Sequence, residues 1–148
     1  MRLVNFIFDS EIEIGVAGHP RFLDLHNIYS WQGIVYLPEK QQVTLTWTRP
    51  DGDRIQPDLP SLIVLEFRGV SRLAASPHDP EMPYSEDTCL DEVTVSPPEP
   101  PSDFKGEDKL FRNDSGHITF MFRSGFSLKI WADEVELWHD RMPNSSRE

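Results

Sequence analysis

Three features of this 148-residue chain predict an all-β fold, a single-domain antiparallel β-sandwich or partly open barrel of about eight short strands with little helix. First, apolar residues recur at every second position in several segments, most clearly Val43, Leu45 and Trp47 against Thr44, Thr46 and Thr48. Second, turn residues interrupt these segments at short intervals. Third, no stretch of 10 to 15 residues carries the 3.6-residue period of an amphipathic helix.

Taken in order, Arg2 to Phe8 reads as a strand, followed by a row of carboxylates at Asp9, Glu11 and Glu13 and a second strand from Phe22 to Tyr29. Gly33 to Leu37 and Val43 to Thr48 are joined by the polar Pro38-Glu39-Lys40-Gln41, a connection of hairpin length, so the two should pair antiparallel with Trp47 in the core. Arg49 to Pro60 is a loop built on Pro50-Asp51-Gly52. Leu62 to Phe67 is apolar on both faces, the pattern of a strand covered on both sides in the middle of a sheet. Ser71 to Ala75 and Leu90 to Val95 are further strands. The best-marked hairpin runs from Ile118 to Ile130: Ile118, Phe120 and Phe122 alternate with Thr119, Met121 and Arg123, Ser124-Gly125 makes a two-residue turn, and Phe126, Leu128 and Ile130 resume the alternation. Glu134 to Trp138 fits a strand, or a short helix opened by Asp133.

Composition bounds the function. With 38% hydrophobic and 26% charged residues the chain is globular, and 148 residues suit one domain, 1–148. Fourteen basic residues against 25 acidic ones give a net charge of −11, which argues against nucleic acid, because phosphate backbones are held by clustered Lys and Arg. The segment from Ser76 to Asp108 holds ten acidic residues and one basic residue, Lys105, and seven of the 13 prolines lie between Pro77 and Pro101. Residues 97–108 are expected to form an exposed, proline-rich acidic loop and residues 141–148 a disordered tail. A single cysteine, Cys89, cannot form an internal disulfide, and the start of the chain lacks the apolar run of a signal peptide, so a cytoplasmic location is expected. No apolar run is long enough for a membrane helix. Asn113-Asp114-Ser115 and Asn144-Ser145-Ser146 match a glycosylation acceptor pattern and are read as a turn and a tail.

Motifs that would carry chemistry are incomplete. His19, His26, His78, His117 and His139 show no paired spacing and no Cys/His cluster, so no metal is expected; Asp24 and His26, on one face of a strand, are the compact pair. Glu86, Asp87, Asp91 and Glu92 flank Cys89 and would repel a thiolate, the wrong setting for a nucleophile unless the fold brings a histidine to it. Gly69-Val70-Ser71-Arg72-Leu73 is half a nucleophile elbow, Gly15-Val16-Ala17-Gly18 lacks the lysine and third glycine of phosphate loops, and Asp79 to Asp87 lacks calcium-loop spacing. The carboxylates at Asp9, Glu11 and Glu13 suit a solvated edge strand. No cofactor is expected.

The segments Leu23-Asp24-Leu25-His26-Asn27-Ile28, Leu65-Glu66-Phe67-Arg68-Gly69-Val70, Phe122-Arg123-Ser124-Gly125 and Ala132-Asp133-Glu134-Val135-Glu136-Leu137 resemble those of small uncharacterised bacterial all-β proteins. The resemblance covers about half the chain and brings no catalytic residues with it. In size and charge the chain is similar to immunity proteins, small acidic bacterial proteins that neutralise a toxin.

Two functions compete, the first of them leading. One is a non-enzymatic protein-interaction module presenting Glu99, Asp103, Glu107 and Asp108, with Trp131 outward beside Ser127 and Lys129, to a basic protein partner. The other is a small-ligand pocket, in an enzyme or a binding protein, lined by Trp31, Tyr36 and Trp47 with Asp24 or His26 as polar anchor. A homo-oligomer whose aromatics serve its own interface is the third arrangement weighed.

Overall fold

The computed structural model describes residues 1–10, 12–50, 58–96 and 116–141. It is all-β, with three open sheets in a sandwich-like arrangement. The strands are β1 (Arg2–Val4), β2 (Phe6–Phe8), β3 (Glu13–Val16), β4 (Phe22–Asp24), β5 (Ser30–Leu37), β6 (Gln42–Thr48), β7 (Leu62–Arg68), β8 (Arg72–Ser76), β9 (Leu90–Ser96), β10 (His117–Phe122), β11 (Ser127–Trp131) and β12 (Glu134–His139). A five-stranded sheet has the order β1-β12-β7-β6-β5, a four-stranded sheet β8-β11-β10-β9 and a three-stranded sheet β2-β3-β4.

Alternation decides the core. Val43, Leu45 and Trp47 of β6 and Ile63, Leu65 and Phe67 of β7 are fully buried, and from the facing sheet Ile118 and Phe120 of β10 and Ile130 of β11 meet them. The Phe120 ring lies 5.8 Å from Trp47 and 6.2 Å from Phe67, which ties the two large sheets together. Phe6, Ile14, Val16, Leu23 and Leu25 bring the three-stranded sheet into the same core. As its two apolar faces require, β7 is the middle strand of five, and Val64 on its other face is also buried.

Several local expectations change. Asn5 adopts φ 69°, a left-handed conformation that splits the first strand. β1 then pairs parallel with β12 and β2 antiparallel with β3, so one pair of the fold is parallel. Glu13 lies on β3, the central strand of its sheet and not an edge. The strand expected through Tyr29 stops at Asp24, whose carboxylate takes up the backbone N–H groups of His26 and Asn27, both at 2.9 Å, and turns the chain. The β10–β11 loop is one residue longer than expected: Phe122 N–H bonds to the Phe126 carbonyl and Gly125 sits at φ 81°, the three-residue hairpin with a left-handed last position. Glu134–His139 is a strand, not a helix.

The sheets are linked by two chain crossings that run side by side. β7 passes to β8 through Gly69 (φ 65°), and β11 passes to β12 through Ala132 and Asp133, whose N–H bonds to the Arg68 carbonyl. Outside this crossing Arg68 pairs with Glu66, Glu134 and Glu136, and Arg2 with Glu134, so two arginines offset most of the charge of three glutamates on this face.

Candidate functional site

Between β8 and β9 the chain forms a loop, 77–88, that ends in a 3-10 turn, Tyr84–Thr88. Its prolines prevent it from joining either neighbouring strand, and its acidic residues, Asp79, Glu81, Glu86 and Asp87, keep it at the surface. Side-chain hydrogen bonds fix its shape. His78 Nδ1 lies 2.6 Å from Asp87 Oδ1 and its Nε2 lies 2.9 Å from the Met82 carbonyl oxygen. The Asp79 carboxylate accepts from the Glu81 N–H at 3.0 Å, and the Asp79 N–H donates to the Ser124 carbonyl at 2.8 Å, tying the loop to the β10–β11 turn. Arg123 on that turn pairs with Glu86 at 3.7 Å.

On this frame the Tyr84 ring stacks on His78, with centroids 4.3 Å apart and planes at 6°, while 78% of the residue stays exposed. The electrostatics follow. A hydrogen bond from the Ser124 hydroxyl and a second from His78 hold the Asp87 carboxyl below the usual range, and the hydrogen bond to Asp87 raises the His78 imidazole. The result is an ordered acidic platform carrying one projecting aromatic ring.

Glu99, Asp103, Glu107 and Asp108, the acidic residues expected to meet a partner, lie outside the described residues, as do the proline-rich stretch 97–108 and residues 142–148. Trp131 does share the outer face of β11 with Ser127 and Lys129, yet it is only 4% exposed. The Arg72 guanidinium covers it at 4.6 Å, and its cross-strand neighbour His117 packs on it at 4.7 Å.

Among the described residues, those expected to line a pocket are not gathered around one space. Trp31 and Trp47 are cross-strand partners, but Trp31 packs on Phe122 (4.7 Å) and Phe126 (5.7 Å) and Trp47 on Phe120, so aromatic rings fill the space between the sheets. Tyr36 is 46% exposed at the rim, on β5 at the sheet edge. The Asp24 carboxylate is consumed in its turn, where Asn27 Nδ2 also binds it at 2.7 Å. His26 faces elsewhere, into a shallow hollow bordered by Ser10, Ile12 and Asp91.

One juxtaposition invisible in the sequence is that of His26 with Cys89, 63 residues apart, with Nδ1 3.7 Å from Sγ. The same Nδ1 hydrogen-bonds the Leu90 carbonyl, which can only accept, so this nitrogen carries the proton and cannot take one from the thiol. Burial pushes the Cys89 thiol up, and Glu86 adds to it against the opposing Arg123. The pair is close but not activated. Among the described residues no three His, Cys, Asp or Glu side chains are grouped to hold a metal, and no helix is long and apolar enough to cross a membrane.

A second surface feature is a groove of about 420 Å³ on the three-stranded sheet. Ile7, Gly15 and Phe22 form one cross-strand row there, and Gly15 lets the Phe22 ring lie against β3 where a Cβ would meet it at 2.9 Å. Ile7 and Phe22 are about half exposed, with His19 and Arg21 at the margin. No protein-family model, curated protein or solved structure matches the chain.

Proposed function

We propose that this protein is a non-enzymatic interaction module that presents the acidic 77–88 loop, with Tyr84 at its tip, to a protein carrying basic surface. The observation that carries the reading is the ordered exposure of Tyr84: a large aromatic side chain held in one orientation loses little entropy on binding, and the acidic loop around it supplies the complementary charge. The filled core adds support, because Trp31 and Trp47 pack on Phe122, Phe126 and Phe120. Immunity-type inhibition of a basic toxin is one instance of such a module, and the lone free cysteine suits a cytoplasmic setting.

Affinity capture from lysate of its own cells tests the reading, with wild type compared at low and high salt with Glu81→Gln/Glu86→Gln. A specific protein held by wild type, released by salt and not held by the variant is the expected result. The same protein held equally by the variant would move the contact away from this loop. A second reading, binding of a small amphipathic ligand, is favoured only by the Ile7–Phe22 groove and would show as protection of wild type, but not Phe22→Ser, by an apolar carboxylate in thermal melts.

A further inference from the structure

The two ring nitrogens of His78 face two groups that accept hydrogen bonds and cannot donate them. Nδ1 meets the Asp87 carboxylate at 2.6 Å and Nε2 meets the Met82 carbonyl at 2.9 Å. A neutral imidazole carries one N–H and could satisfy only one of them; the imidazolium carries two and satisfies both. We infer that His78 is a protonation-operated clasp, which in its cationic form fixes the 77–88 loop and in its neutral form releases one of the two anchors and lets the loop open. The clasp concerns the isolated protein. Its consequence for a partner rests on the function proposed above.

The surroundings support the cation. The charged groups facing His78 are Asp87 and, farther off, Asp79, both from its own loop, and the Tyr84 ring lies parallel to it, an arrangement that favours a positive imidazole. From the β10–β11 turn the Ser124 hydroxyl holds Asp87, and Arg123 is engaged with Glu86. β5, which also packs against the 3-10 turn, carries no charged residue. Anchoring at Met82 and Asp87 brackets Tyr84 from both sides in the chain, so loss of either anchor frees the segment that bears it.

The sign follows from linkage. Because the closed loop raises the His78 pKa, its contribution is full below about 6.5, the ordinary histidine value, and is lost as pH rises through the raised value. On the acid side the lowered Asp87 value means that the clasp is present above about 3.9 and is lost as pH falls through that lowered value. The clasp is therefore closed between about pH 3.9 and about 6.5 and opens as pH rises through the raised His78 value.

Nuclear magnetic resonance of the full chain tests this without a partner, by following the His78 ring nitrogens and the exchange of the Met82, Glu86 and Cys89 amides, which bond within the loop. Between about pH 5 and pH 9 the ring should titrate with a midpoint above about 6.5. Over the same range loop protection, corrected for intrinsic exchange, should fall by about tenfold or more while core amides such as Leu65 hold theirs. Asp87→Asn should lower the midpoint and remove the loop protection at pH 6. Loop protection unchanged through the His78 titration, or a midpoint at or below about 6.5, would overturn the clasp. Failure to capture a partner would bear on the proposed function and leave these readouts untouched.

Discussion

Tyr84 lies flat on the His78 imidazole, 4.3 Å between centroids and 6° between planes, and the opposite face of its ring is turned to solvent. The histidine serves as a shelf. It is itself held at both nitrogens, so the aromatic ring most exposed on the described surface is also one of the most constrained.

Tyr84→Ala separates binding from folding. The side chain contributes little buried area, so the urea midpoint should move by no more than about 0.5 kcal/mol equivalent, whereas affinity for a captured partner should fall about tenfold or more. Equilibrium unfolding and calorimetric titration of the same preparation measure both.

At Trp47 size matters and polarity does not. The ring is fully buried, and its indole N–H has no hydrogen-bond partner among the described residues. Trp47→Ala should cost about 3 to 5 kcal/mol by opening a cavity between β6 and β10, while Trp47→Phe should cost clearly less, since no hydrogen bond is lost. Denaturant unfolding of the two variants gives the comparison.

Gly69→Ala should destabilise by about 1 to 3 kcal/mol. The position has φ 65°, and a Cβ there would come within 2.7 Å of the Asp133 carboxylate carbon at the point where both chain crossings meet. Gly18→Ala, at φ 78° but with nothing near its Cβ, should cost less, and the difference isolates the steric part.

His139 makes stability pH-dependent in the sense opposite to His78. Burial, and then the neighbouring His19 at 6.0 Å, lower its pKa, and its Nδ1 accepts the Arg141 N–H as a neutral ring must. The unfolded chain then binds more protons, so stability falls as pH drops below about 6.5 and levels off below the lowered value. His139→Gln should flatten this limb of a stability profile taken from pH 8 to pH 5, after subtraction of the common background.

What could be read from the sequence was local. Val43, Leu45 and Trp47 announced an inward face, Leu62 to Phe67 a doubly covered strand, and Phe120 to Leu128 a hairpin, because alternation and turn residues act over a few positions. The β1–β12 pairing, between residues more than 130 positions apart, depends on one left-handed Asn5 that no periodic pattern marks. β3 escaped notice because it is four residues long, its buried face is carried by Ile14 and Val16 alone, and Glu13 reads as part of a charge row. The site was half legible: the acidity of the Ser76 region was plain, but the His78–Asp87 bond spans nine residues of irregular loop and has no motif. Trp131 was placed on the right face, yet its cover comes from Arg72 on a different strand.

The most direct test places a photoreactive phenylalanine analogue at position 84 in the protein expressed in its own cells, with the same analogue at position 22 as a comparison. Both positions are exposed aromatics on separate surfaces. A discrete crosslinked protein adduct is expected at 84, weakened when Glu81 and Glu86 are neutralised, and none at 22. An adduct at 22 with none at 84 would contradict this and move the contact to the three-stranded sheet.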